Sequence, residues 1–160
     1  MADRKYLAIY LNDHLAAAVG ATQLARRTAG SNRESPYGES LARLAEEIDE
    51  DRHALQDLLK RLEIRADTIK IVASVGAERL GRLKLNGELL RYSPLSRLEE
   101  LEFLVLAVTG KLGMWRALRG SLGADPRAQG VDFDELIERA TSQRRRLERL
   151  RERAVADALA

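Results

Sequence analysis

Leu41, Leu44, Ile48, Leu55, Leu58, Leu59 and Leu62 recur at intervals of three, four and seven residues, the spacing that lays side chains along one stripe of a helix. This pattern predicts a helix over 41–62. An advance of about 100° per residue puts Asp51 on the stripe between Ile48 and Leu55. The same advance turns Glu50 and His53 roughly 140° and 160° away, toward water. Glu47 falls one turn before Asp51, and Arg52 falls on the opposite flank.

Upstream, Leu7, Tyr10, Leu11, Ala18, Ala21 and Ala25 gather on one side of a helix expected from about Asp3 to Arg27 and ended by Gly30. His14 falls near the centre of that side, Asp13 at its edge and Asn12 on the solvent face. The small residues from Ala16 to Ala21 admit a close neighbour. A polar connection over 31–38 follows, with Ser35 before Pro36 as a helix start.

Between Glu63 and Tyr92 the pattern changes to a shorter helix, opened by Asp67 and stopped at Asn86-Gly87, with Ile69, Val72, Gly76 and Leu83 on its apolar side. About thirty residues is more than a tight turn between antiparallel neighbours needs, so this is read as a long crossover. The next long helix starts at Ser93-Pro94, or at Ser96 with Glu99 three residues on, and runs to about Leu118. Its middle, FLVLAVTGKLGMW, is apolar nearly all round. Glu102 and Thr109 are its candidate inward or flanking polar groups, Gly110 and Gly113 mark expected close packing, and Met114 and Trp115 are core or interface residues.

A loop over 120–131 leads to a last helix, with Asp132 as its cap and Glu135 completing a capping box. Phe133, Leu136, Ile137, Ala140, Leu147 and Ala154 set its inward side. Gln143, Arg144 and Arg151 fall on or beside that side, and Arg145, Arg146, Arg149 and Arg153 take the opposite face.

Two long helices with a short loop, a long crossover and two more long helices form an all-α arrangement that resembles the ferritin-like four-helix bundle, here with a short fifth helix in the crossover. The resemblance covers residues 1–160 as one domain. It implies a Glu from each of two helices and a Glu-x-x-His from each of the others, around two metal ions. This chain departs from that set: His14 stands where a carboxylate is expected, Glu50 and His53 face outward, Glu102 lies at a boundary, and the last helix has no histidine. DinB-like bundles, of comparable arrangement, use three histidines, and only His14 and His53 are present here.

Matching helix midpoints brings His14, Asp51, Thr109 or Leu106, and Gln143 or Arg144 to one height, where a guanidinium supplies the charge a metal otherwise would. The expectation is a buried polar knot of His14, Asp51 and Arg144, with Glu47 nearby, in place of a metal centre. The competing reading is a metal-binding or oxidoreductase bundle holding iron, manganese or zinc on His14, Glu47, Asp51 and Glu102.

Composition narrows the choices. The chain has 27 Lys+Arg against 25 Asp+Glu, a formal charge of +2 that gives no strong general attraction to nucleic acid or an anionic membrane. The arginine run near the end is interrupted by Glu148 and Glu152 and lacks interleaved aromatics for base stacking. There is no cysteine, which removes disulfide and thiolate chemistry and fits a reducing compartment. Asn12, Asp13 and His14 interrupt the first apolar run, so neither a signal peptide nor a membrane span is expected, and the cytoplasm is the expected location. No Gly-rich phosphate loop or Ser-His arrangement is present. The reading is a non-catalytic structural or protein-interaction module without a cofactor. It is expected to form a homodimer, because the crossover and third long helix carry more apolar positions than one core absorbs.

Overall fold

The computed structural model describes residues 4–71, 73 and 92–160, and among these the regular structure is helical throughout. Four long helices account for most of it: α1 Arg4–Ser31, α2 Gly38–Arg61, α3 Pro94–Leu122 and α4 Phe133–Leu159. A 3-10 turn over Pro126–Ala128 sits in the α3–α4 connection. None of the described helices is long and apolar enough to cross a membrane.

The helix ends follow local chemistry. Ser93 caps α3: its hydroxyl accepts from the Ser96 N–H, Ser96 returns the contact to the Ser93 N–H, and Pro94 fills the first helical position. Asp132 caps α4 by accepting from the Glu135 N–H at 2.9 Å. Past the end of α2, Glu63 takes a φ of 54°, and the N–H groups of Glu63 and Ile64 donate to the carbonyls of Lys60 and Leu59. This is a Schellman closure, built here on a glutamate where glycine is usual. Asp67 accepts from the N–H groups of Ile69 and Lys70, so the expected start of the crossover helix is present. Its expected apolar positions Val72, Gly76 and Leu83 and its stop at Asn86-Gly87 lie outside the described residues.

Two boundaries differ from the sequence reading. α1 continues through Gly30 to Ser31, because Thr28 and Asn32 are buried and bond back to the Leu24 and Thr28 carbonyls. α2 begins at Gly38 without a side-chain cap. There the chain turns so tightly that a Cβ on Gly38 would lie 2.5 Å from the Arg33 carbonyl oxygen. Asn12 is also corrected: it is buried, not solvent-facing. Its amide donates to the Ala8 and Arg65 carbonyls, both at 3.0 Å, and its oxygen accepts from the Asp67 N–H, which ties the start of the crossover to α1.

Side-chain pairs give the order of the helices. Arg27 near the end of α1 meets Glu100 near the start of α3, and Tyr37 just before α2 donates to Asp157 near the end of α4. α1 therefore runs antiparallel to α2 and α3, and α4 antiparallel to both of those. α2 and α3 are parallel and diagonal, an arrangement that only a long crossover can connect.

The core divides into two apolar clusters. One surrounds Trp115 with Leu11, Leu15, Leu55, Leu112 and Leu136, and the other gathers Leu44, Ile48, Leu101, Leu104, Val108 and Leu147. Each fully buried leucine contributes about 1.5–3 kcal/mol. Between the clusters lies one polar layer.

Candidate functional site

That layer is centred on Asp51, 1% exposed, whose carboxylate lies between Ile48 of one cluster and Leu55 of the other. Lys111 of α3 and Gln143 of α4 occupy the equivalent gaps on their helices, Lys111 between Val108 and Leu112, Gln143 between Ala140 and Leu147. One Asp51 oxygen accepts from the Lys111 ammonium and from the Gln143 amide at 3.0 Å. The other accepts from Arg139 Nε at 2.7 Å. Gln143 also accepts from Lys111 Nζ at 2.6 Å. Both carboxylate oxygens are thus occupied by donors, the arrangement a buried carboxylate needs. Burial pulls the Lys111 ammonium below its ordinary pKa, and Asp51 beside it pulls the other way.

Beside this layer α1 and α3 part to leave a cavity of about 260 Å³. Ala17, Ala18 and Ala21 form one wall, Leu106 and Gly110 the other, and Ile48, Asp51, Lys111 and Trp115 lie deeper. On this side of α1 the small side chains leave open volume.

His14 borders the same cavity but does not bond to Asp51. It is half-buried, and its ring meets Tyr10 edge-on with centroids 4.5 Å apart. Burial lowers its pKa, opposed by Asp13. Arg144, expected in the knot, is exposed, and Arg139, Lys111 and Gln143 hold Asp51 in its place. The reason is rotational phase. Arg139, Gln143 and Arg146 at i, i+4 and i+7 share the face turned to α2, and Arg144 lies about 100° beyond Gln143. Arg146, placed on the outer face by sequence, uses its long stem to pair both guanidinium ends with Glu47. Two signals in the sequence bear on these residues: Lys111 is the lone charge in the apolar middle of α3, and Arg139 precedes Gln143 by one turn.

Glu50 and His53 are exposed, as their phase implies. Glu50 approaches Arg139 at 3.6 Å, and His53 bonds the Asp49 carbonyl within α2. Glu102 is exposed, and Thr109 bonds back to the Val105 carbonyl on the outer face. The structure therefore does not bring His14, Glu47, Asp51 and Glu102 together. Among the described residues no group of three or more His, Cys, Asp or Glu is placed to hold a metal ion.

A second polar network at the far end of the helices went unread in the sequence. Glu100, buried, accepts from Arg27 and from the Tyr92 hydroxyl, both at 2.9 Å, and Asn32 donates to the Tyr92 oxygen at 2.7 Å. Arg97 links Asn32 to Asp157 and stacks over the Tyr37 ring at 4.3 Å. Burial and Glu100 push the Tyr92 hydroxyl well above its ordinary pKa. This network joins four helix ends: the end of α1, the starts of α2 and α3, and the end of α4.

Compared with protein-family models, with curated proteins and with solved structures, the chain matches none.

Proposed function

We propose that this protein is a ferritin-like four-helix bundle in which a salt-bridge layer stands where a di-metal centre would sit, and that it acts as a non-catalytic structural or protein-interaction module. The observation that carries this is the state of Asp51: Lys111, Arg139 and Gln143 occupy both its oxygens, and Arg146 occupies Glu47. Carboxylates so engaged already have their charge met by side-chain cations, which leaves none to neutralise a metal ion. The diagonal, parallel placement of α2 and α3 supports the ferritin-like order. The cysteine-free composition supports a reducing compartment, and hence the cytoplasm.

The module is proposed to work as a homodimer through the outer face of α3. Phe103, Leu106, Gly110, Gly113 and Ala117 follow each other at alternating steps of three and four and are all exposed, Phe103 by 56% and Leu106 by 67%. A Cβ at Gly110 or Gly113 would meet nothing within 4 Å, so packing within the chain does not call for glycine there. Antiparallel pairing of two such faces seats Phe103 and Leu106 of each copy over Gly113 and Gly110 of the other. It also brings exposed Glu102 toward exposed Arg116 across the two-fold axis.

Sedimentation velocity at micromolar concentration tests the dimer: a two-chain species that Leu106→Glu dissociates supports it, and a monomer for the unaltered protein removes it. Elemental analysis of protein purified without chelator tests the centre. Stoichiometric iron, manganese or zinc favours instead an oxidoreductase or metal-binding bundle.

A further inference from the structure

The cavity between α1 and α3 shares only Leu106 and Gly110 with the face proposed to self-associate, and the rest of its lining lies apart from that face. Its walls are apolar, and four polar side chains border it: His14, Asp51, Arg52 and Lys111. Asp51 has both oxygens occupied. Arg52 is committed to Asp49 and Gln56. Lys111 is not fully committed: an ammonium carries three protons, and two are directed to Asp51 and Gln143. The third has no acceptor among the described residues, although the side chain is only 13% exposed. Trp115, also in the lining, is fully buried and its indole N–H lacks an acceptor too. Both unused groups are donors. The His14 ring, with its pKa lowered, borders the same space and makes no hydrogen bond to another described residue.

Charge points the same way. Lys111 and Arg139 are both paired to Asp51, while the neighbouring carboxylate Glu47 is engaged by Arg146 and Glu50 is exposed. A cationic donor short of one acceptor beside apolar walls favours an acceptor-only anion with an apolar body.

We propose that this cavity binds a small apolar monocarboxylic acid, its carboxylate taking the spare Lys111 proton and its hydrocarbon part lying along Ala17, Ala18, Ala21 and Leu106. At about 30 Å³ per water-sized volume element, the space holds roughly eight to ten non-hydrogen atoms, the size of octanoate.

The test titrates octanoate, octanol and octylamine, below their aggregation limits, into the full chain. Trp115 is the single tryptophan of the sequence, so its fluorescence reports the cavity directly, with the thermal midpoint as a second readout. Octanoate should saturate at one per chain and raise the midpoint. Octanol should bind at least about tenfold more weakly for want of the charged contact, and octylamine should not bind. Lys111→Met should bring octanoate down to the level of octanol. Should that variant fail to fold, Ala18→Leu, which fills the wall and leaves the Asp51 layer intact, should abolish octanoate binding. Equal binding of octanoate and octanol overturns the proposal, as does the absence of any change in Trp115 emission and midpoint. Leu106 and Gly110 also belong to the face proposed to self-associate, so the titrations are run where sedimentation shows a single species.

Discussion

Lys111 of α3 and Asp51 of α2 form an ion pair between two helices that lie diagonally across the molecule, and Gln143 of α4 bonds both partners. The pair lies at the height where the two apolar clusters meet. Its members are fixed by partners on three helices, so each is costly to remove alone.

Asp51→Ala leaves Lys111, largely enclosed, and Arg139, partly exposed, without their carboxylate, and should destabilise the fold by about 3–5 kcal/mol. His53→Ala, on the exposed face of the same helix, should stay within about 0.5 kcal/mol of the unaltered protein. Urea unfolding of the two variants side by side checks this. Equal tolerance would mean that the polar layer does not hold the helices together.

Gly110→Ala should separate stability from association. With open space around the added Cβ, the helix gains about 0.8–1.0 kcal/mol from propensity. If Leu106 of a second copy seats over Gly110, the same methyl weakens the dimer. Unfolding at low concentration should show the gain, and sedimentation the loss.

Glu63→Gly should stabilise by about 1 kcal/mol. Glu63 holds a left-handed conformation that costs an L-residue about 1–2 kcal/mol and a glycine little. The Glu63 side chain contributes an exposed 3.9 Å contact to Arg4, worth little in water. Thermal unfolding reads the gain as a raised midpoint.

His14 should make stability depend on mildly acidic pH. Its folded pKa lies below the ordinary 6.5, because burial disfavours the imidazolium more than Asp13 favours it. Below 6.5 the unfolded chain binds more protons than the folded one, so the stability contributed by neutral His14 is full above 6.5. It declines as pH falls toward the folded pKa. The stability advantage of the unaltered protein over His14→Gln should therefore narrow between pH 8 and 5 in urea titrations. A gap that widens with acid would reverse the assignment.

The sequence by itself determined the helices and the phase of α2. Leu41 to Leu62 repeat at helical spacing, and that repeat places Asp51 inward and His53 outward whatever else surrounds them. Caps at Ser93 and Asp132 were legible for the same reason: they depend on residues three apart along one segment. Which cation meets Asp51 was not legible. The helical phase of the last helix pointed to Arg144, and the structure uses Arg139 and Lys111 instead, a choice that rests on the rotation of α4 against α2 and on stem lengths that carry a charge round a helix edge. Asn12 escaped for a related reason: its turn of α1 looks polar until the crossover lies against it. The cavity, too, arises only in the tertiary structure, because a run of alanines permits close packing or open space, and the distance between α1 and α3 decides between them.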